Sequence, residues 1–173
     1  MILGLDISTS ITGATVLDKS GKVVYCEAWD TRKFKGTFTK ADTIHSHLRE
    51  IKLNYDIKQI YVEQSLQMFR SGFSSAKTLM TLAKFNGIVS WMCYRIFNIT
   101  PEYLAAVSAR KANGITVPRG VKAKLVVLDH IEENFPEFSY SLTKAGNPKP
   151  GTYDRADSIV IATAGFKNLT SPP

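Results

Sequence analysis

Two aspartates three positions apart, Asp154 and Asp157, stand at the start of an apolar run near the end of the chain. One acid there is ordinary, because a carboxylate in the first turn of a helix satisfies free backbone N–H groups and complements the helix dipole. Two acids at this spacing project to the same side of a helix and repel each other. A cation must offset that repulsion. Arg155 points elsewhere on the helix, which leaves a bound metal ion as the candidate.

Two further acids lie in or beside apolar strands. Asp6 sits inside the apolar segment 2–8, and Glu63 ends the segment 57–64. An acid in a strand core is unfavourable unless it is paired or bound to a metal. The ordinary alternatives are a helix cap for Asp154, a turn-facing Asp6 and an exposed Glu63. Each is commoner than catalysis by itself, but all three together, in this order, are not.

Four carboxylates brought together by folding would supply the hard oxygen ligands that Mg²⁺ and Mn²⁺ prefer. Two such ions, about 4 Å apart, can activate a water molecule and stabilise the leaving oxygen in phosphodiester cleavage. The acids therefore predict a metal-dependent nuclease, provided that the fold brings them together.

Composition is compatible with that chemistry. The chain has 173 residues, 44% of them hydrophobic, which suits one domain with its own core. Its 22 Lys and Arg residues against 15 Asp and Glu residues give a net charge of +7. This balance favours a polyanionic partner such as nucleic acid, although a merely soluble basic surface has the same composition.

Cysteine usage and hydropathy bear on the compartment. Cys26 and Cys93 match no metal-ligand spacing and are expected to be reduced core residues of an intracellular protein. The first residues lack the pattern of a secretory signal, and no apolar stretch is long enough to span a bilayer. We therefore expect no membrane partner, and a location in the cytoplasm of a bacterial or phage-infected cell or in an organellar matrix.

Hydrophobic periodicity predicts the elements that must position the acids. We expect three antiparallel strands first, followed by alternating helices and strands, which makes a mixed α/β sheet of five strands flanked by helices. The predicted strands are 2–8, 12–18, 22–30, 57–64 and 102–108, and the predicted helices are 41–55, 75–98, 124–135 and one that begins at the Asp154/Asp157 pair. Basic loops are expected at 31–40 and 109–124, and a connector rich in Pro and Gly at 136–153. A single domain over 1–168 and a disordered tail at 169–173 complete the prediction.

The long helix at 75–98 is apolar nearly all round in its second half. Such a helix has to bury more than one face. The sheet can cover one side, and a partner subunit is a candidate for the other.

Three segments together resemble a known family. The segments "ILGLDISTSITGATVLD", "IYVEQS" and "YDRADSIVIATA" resemble, in order and spacing, the acidic motifs of RuvC-type Holliday junction resolvases, which belong to the ribonuclease H-like nuclease superfamily. The resemblance implies a ribonuclease H-like fold in which Asp6, Glu63, Asp154 and Asp157 bind two Mg²⁺ or Mn²⁺ ions per active site. It also implies a homodimer, joined through the long helix near 75–98, that introduces paired nicks into a four-way DNA junction.

The family also carries basic residues that contact phosphates between its second and last acidic motifs. Lys122 is the best match and would be the assisting group in catalysis, followed by Lys111 and Arg110, with Lys124 close by. A solvated loop is the ordinary alternative for any one of these lysines.

An aromatic residue follows the second acidic motif in the family and lies near the junction centre. The chain offers Phe69 and Phe73, with Arg70 between them, as residues that could stack on bases. Packing of these side chains against the long helix is the alternative.

Three other functions compete with junction resolution. The segment "GLDISTSITGATVLD" also resembles the first phosphate-binding hairpin of sugar kinases and actin-like proteins, but the chain lacks the length and the glycine-rich adenosine motif of a second lobe. A non-catalytic junction-binding protein would keep the basic surface, yet it would gain nothing from four mutually repelling carboxylates. A ribonuclease H-like nuclease that cuts flaps, forks or RNA–DNA hybrids remains compatible with the same residues.

Overall fold

The computed structural model describes residues 1–64 and 76–170 of the chain. Its strands are β1 (Ile2–Asp6), β2 (Ile11–Leu17), β3 (Val23–Asp30), β4 (Gln59–Glu63) and β5 (Glu102–Leu104). Its helices are α1 (Thr37–Asn54), α2 (Ala76–Phe97), α3 (Ala106–Ala112), α4 (Ala123–Asn134) and α5 (Thr152–Thr170).

The five strands form one mixed sheet in the order β3-β2-β1-β4-β5. The first three strands pair antiparallel, whereas β4 is parallel to β1 and β5 is parallel to β4. The predicted mixed sheet with an antiparallel opening is confirmed. Because β1 and β4 are parallel neighbours, their carboxyl ends meet at the same edge of the sheet.

Side chains alternate between the two faces of the central strand, as strand geometry requires. Leu3 and Leu5 belong to a core that also contains the buried residues of α1 and α2. Ile2 belongs to a second core, built mainly from α5 and α4. The sheet is therefore covered by α1 and α2 on one face and by α5 on the other.

Helix α5 lies unusually close to the sheet. A Cβ atom added to Gly4 would lie 2.6 Å from the backbone nitrogen of Ala162, and one added to Gly165 would overlap the ring of Tyr61. These glycines allow close approach of the backbone, and the distance between α5 and the strands is fixed by that approach.

The largest differences from the predicted bounds concern α1 and α3; the first four residues of the basic loop predicted at 109–124 belong to α3. Helix α1 begins at Thr37, so the last four residues of the basic loop predicted at 31–40 are helical. Gly36 precedes the helix without a side-chain cap, and Phe38 is exposed, so neither a capping residue nor an apolar period marks this start. The strand predicted at 102–108 ends at Leu104, and α3 follows it.

The chain end and the hydropathy add two facts. Helix α5 extends to Thr170, two residues into the predicted tail, while 171–173 lie outside the described residues. No helix within the described part of the chain is long and apolar enough to cross a membrane.

Candidate active site

The first two acids stand side by side at the carboxyl edge of the sheet. Leu5 of β1 pairs in register with Val62 of β4, so Asp6 and Glu63 are the next residues on two adjacent strands. Tyr61, two positions before Glu63, belongs to the core under α5. Because side chains alternate along a strand, Asp6 and Glu63 both face α5.

The start of α5 lies over the same edge. Gly13 pairs with Asp6 across β1 and β2, and a Cβ atom on Gly13 would overlap the backbone carbonyl of Asp154. One turn further on, the buried hydroxyls of Thr15 and Ser158 form a hydrogen bond of 2.7 Å, which fixes the rotation of the helix on β2. These contacts bring the first two turns of α5, with both of its acids, over the pair from β1 and β4.

The pKa values of these four carboxyls show that they share one environment. Burial raises the pKa of Asp6 well above its ordinary value, and the charges of Glu63, Asp157 and Asp154 raise it further. Burial followed by the charge of Asp157 raises the pKa of Glu63 to about 7. Burial followed by the charge of Asp154 raises the pKa of Asp157 to about 6. Burial also raises the pKa of Asp154. The charges of the four acids therefore act on one another, and the acids repel one another.

Arg110 is a basic residue whose charge opposes this repulsion at Glu63 and Asp157. It lies on α3, and its charge lowers the pKa values of Glu63 and Asp157 against the larger effect of burial. Helix α3 is held beside α5 because Nδ2 of Asn113 donates to the carbonyl of Val160 at 2.9 Å. We predicted Arg110 only as a secondary DNA contact, and its role next to the acids comes from the unpredicted helix α3.

Lys122, predicted as the assisting group, lies at the start of α4. It is exposed and forms the N-terminal boundary of α4. No hydrogen bond or ion pair joins it to the four acids in the described part of the chain. The two lysines also predicted to contact DNA, Lys111 and Lys124, have different surroundings. Lys111 is exposed on α3, whereas the ammonium of Lys124 lies 4.6 Å from the ring centre of Tyr153, the residue before Asp154.

Arg32 and Asp30 are site residues that the sequence did not reveal. Nε and one terminal nitrogen of Arg32 donate to the carboxylate of Asp30 at 2.5 to 3.0 Å. The side-chain hydrogen bond from Arg32 lowers the pKa of Asp30 to about 2. The charge of Arg32 also lowers the pKa of Asp154, against the larger effect of burial. An arginine in a loop with three lysines carries no motif, and only the position of Asp30 opposite Ile11 at this edge of the sheet could have pointed to it.

Arg155 points away from the acids, as predicted from the helix spacing. One of its terminal nitrogens donates to the carbonyl of Ser139 at 2.9 Å, and its guanidinium lies 4.7 Å from the ring centre of Phe138. It thereby attaches α5 to the connector and leaves the acids without a neutralising partner from their own helix. The predicted base-stacking residues Phe69, Arg70 and Phe73 lie outside the described residues.

The donor set fits a divalent metal in its chemistry. Four half-buried carboxyl groups that repel one another suit a hard cation. In the ranges 1–64 and 76–170, however, no three Asp, Glu, His or Cys side chains are grouped closely enough to hold an ion as they stand. To hold a cation, the side chains of the four acids would have to move closer together.

A mixed sheet that opens with an antiparallel meander and gathers acids from β1, β4 and the last helix defines the ribonuclease H-like class of fold. Within that class, the structure is similar to Thermus thermophilus RuvC solved in complex with a Holliday junction substrate, with a TM-score of 0.67 and 15% sequence identity over 98% of this chain and 96% of that one. It is also similar to Thermus thermophilus RuvC in a second structure, with a TM-score of 0.64 and 16% identity over 97% of this chain and 95% of that one.

The yeast mitochondrial Holliday junction resolvase Ydc2 has a TM-score of 0.58 and 13% identity over 96% of this chain and 77% of that one. By sequence, no protein-family model and no curated protein matches the chain. The predicted RuvC-type fold is therefore confirmed.

Proposed function

We propose that the protein is a structure-selective DNA endonuclease that resolves four-way (Holliday) junctions by paired, metal-dependent phosphodiester hydrolysis. One observation carries the proposal. Four carboxyls from β1, β4 and α5 converge at one edge of a sheet whose fold matches RuvC over nearly the whole chain. The net charge of +7 supports a nucleic acid as the substrate.

In this proposal Asp6, Glu63, Asp154 and Asp157 hold two Mg²⁺ or Mn²⁺ ions. When bound, such ions activate a water molecule and stabilise the leaving oxygen of the cleaved phosphodiester. The chain itself contributes an edge from which water is partly excluded and in which the acids are already desolvated, so electrostatic interactions there are strong. Arg110 supplies positive charge next to Glu63 and would attract the phosphate of the strand to be cut.

Paired nicks need two active sites, and the outer side of α2 supports a homodimer. Trp91 is 62% exposed, Met80 is 60% exposed and Tyr94 is 46% exposed. With Gly87 they fall at helical spacing on one side of α2. Among the described residues, nothing outside the backbone of α2 itself lies within 4 Å of a Cβ atom added to Gly87. An exposed apolar stripe with a glycine in its middle suits close packing against a second copy of the helix. We refer to Met80, Gly87, Trp91 and Tyr94 as the α2 stripe.

The dimer is tested by Trp91→Glu, which places a charge in the middle of the α2 stripe. We expect the wild-type protein to be a dimer in sedimentation analysis and the variant to be a monomer, because a buried unpaired charge opposes association. Val107→Glu is the matched control, since Val107 is 70% exposed on α3, which packs beside α5 on the other side of the sheet from the stripe. A monomeric wild type, or a variant that still dimerises, would contradict the arrangement.

Cleavage of a labelled synthetic four-way junction tests the function directly. The same assay should contain a linear duplex, a replication fork and an RNA–DNA hybrid of the same sequence, each with Mg²⁺, with Mn²⁺ and with EDTA. We expect symmetric nicks confined to the junction, present with either metal and absent with EDTA. Cutting of the fork or hybrid instead would move the protein to another branch of ribonuclease H-like nucleases. Tight junction binding without cutting under any metal would make it a non-catalytic junction-binding protein.

A further inference from the structure

A second charged site lies between the two helices that cover the opposite face of the sheet. A surface cavity of about 410 Å³ separates the last turns of α1 and α2. It is lined by His45, Arg49, Lys52 and Leu53 from α1, and by Arg95 and Ile96 from α2. We call it the basic pocket, because three of its six residues carry a full positive charge and a fourth is a histidine.

No acidic residue lines the basic pocket, although the charge of Lys52 helps to lower the pKa of the exposed Asp56 nearby. Arg49 and Lys52 are neighbours of like charge on one side of α1, and His45 lies one helical turn before Arg49. The two ion pairs found among the described residues join Arg32 to Asp30 and Lys58 to Asp56, and neither involves this site. Like charges with no acidic residue between them are stabilised by an anionic ligand.

Two of these basic groups are also oriented by aromatic rings. The guanidinium of Arg95 lies 5.9 Å from the ring centre of Trp91, and the ammonium of Lys52 lies 5.6 Å from that of Phe97. Contacts of this kind restrict a long side chain without neutralising its charge. The pocket therefore presents charges that are partly fixed in position and free to bind an anion.

The basic pocket stands at the far end of α1 from the acids. Near the start of α1, Lys40 donates to the carbonyl of Thr9, which lies in the turn that follows β1 at the acidic edge. Near the end of α1, the backbone N–H of Lys58 donates to the carbonyl of Met1, which lies at the opposite edge. At the helical rise, Lys40 and Lys52 are about 18 Å apart along the axis. An anion in the pocket is thus too distant to be the phosphate that is cut.

We propose that the basic pocket binds backbone phosphates of a DNA arm, at a point about 18 Å along α1 from the sheet edge that carries the acids and on the opposite face of the sheet. The inference rests on the proposed function and adds a second contact surface to it. A duplex presents a negative charge for about every 1.7 Å of its axis, so an arm that crosses the ends of α1 and α2 brings several phosphates past the pocket. A nucleic acid fits better than an acidic peptide, because four of the six lining residues are basic or histidine and only Leu53 and Ile96 are apolar.

The test is the double variant Arg49→Gln/Lys52→Gln, whose positions lie on α1 and leave the α2 stripe intact. Its control is Lys19→Gln/Lys22→Gln, which removes the same charge from exposed residues of the turn between β2 and β3. Binding of a linear duplex and of a four-way junction is measured in EDTA between about 50 and 200 mM salt, the range over which phosphate contacts dominate affinity.

We expect the pocket variant to lose about one to two units from the slope of log affinity against log salt, since each phosphate contact contributes about 0.9. The control should keep the wild-type slope, and the pocket variant should still cut a junction that is saturated with enzyme. A pocket variant whose slope equals that of the control would overturn the inference and leave the proposed function standing. A wild-type protein that binds neither DNA would overturn both.

Discussion

The two faces of the sheet are built on different principles. On the face covered by α1 and α2, large side chains such as Leu5, Ile44 and Phe85 fill the space between sheet and helices. On the other face, α5 lies against Gly4 and Gly13 so closely that a single methyl group has no room. The first face is a general hydrophobic core. The second is a contact between backbones that holds two acids of the site against the other two.

This difference assigns separate tasks to the two layers. A core of large side chains can adjust to small changes by repacking, and it supplies stability. Where α5 contacts the strands at glycine, no flexible side chain can absorb a change, so the helix itself has to shift together with its acids. We therefore expect perturbations on the α5 face to affect catalysis and stability together, and those on the other face to affect stability alone.

The largest expected effect is the loss of cleavage in Asp157→Asn. This change keeps the shape of the side chain but removes a proposed metal ligand, so junction cleavage should fall by on the order of a thousandfold or more. Junction binding should stay equal or improve, because one negative charge facing phosphate is lost. Single-turnover cleavage and titration of binding in EDTA measure the two quantities. Cleavage at the wild-type rate would show that Asp157 is not part of the catalytic site.

The next largest effect is on the free energy of unfolding, when one carbon atom is added on one face of the sheet or removed on the other. Gly13→Ala should lower the free energy of unfolding by about 3 kcal/mol, because its Cβ atom would overlap the backbone of Asp154. Ile44→Val, which removes a methylene from the other core, should cost about 1 kcal/mol. Denaturant unfolding measures both. Equal losses for the two variants would show that the faces do not differ in the way described.

A smaller effect should separate the two candidate basic residues. Arg110→Gln should reduce cleavage of bound junction by about ten- to a hundredfold, because it removes the positive charge next to Glu63 and Asp157. Lys122→Gln should change the same rate by less than about threefold and act mainly on affinity. Single-turnover rates at saturating enzyme distinguish them, and the reverse order would restore Lys122 as the assisting group.

The smallest effect concerns pH and the metal-free protein. Burial raises the pKa of Glu63 to about 7 and that of Asp157 to about 6, above their values in an unfolded chain. Between about pH 4 and pH 7 the folded state therefore binds more protons than the unfolded state, so the free energy of unfolding falls as pH rises through this window. The decrease is expected in EDTA, where no metal ion competes with protons for the carboxylates.

Glu63→Gln should flatten that pH dependence, whereas Glu133→Gln, at an exposed position on α4, should leave it unchanged. Thermal unfolding at a series of pH values gives the comparison. A flat profile in the wild-type protein would mean that the four acids do not titrate as a buried group.

Much of the fold could be predicted because its signals are local. The meander from β1 to β3 is marked by alternating apolar residues and by the turn at Asp18, whose carboxylate accepts from the backbone N–H groups of Ser20 and Lys22. The four acids could be predicted because an acid among apolar residues requires a special environment. Both inferences depend only on residues that are close together in the sequence.

The remainder depends on tertiary structure. The short apolar run at 102–108 predicts a strand, followed by a basic loop, whereas the structure ends the strand at Leu104 and forms α3, which packs against α5. That difference decides where Arg110 lies. Arg32 reaches the site because β3 ends next to the turn after β1. The sequence of the basic loop does not indicate which strands pair, so this position could not be predicted from it.

The link made by Arg155 has a practical consequence. This residue directly follows Asp154 and fastens the connector to α5 through Ser139 and Phe138. Any tag, spacer or fusion inserted between 136 and 151 would therefore pull on the helix end that carries an active-site acid. The turn around Lys19, exposed and at the opposite edge of the sheet, is the place where a fluorescent reporter can follow DNA binding without reaching the acids.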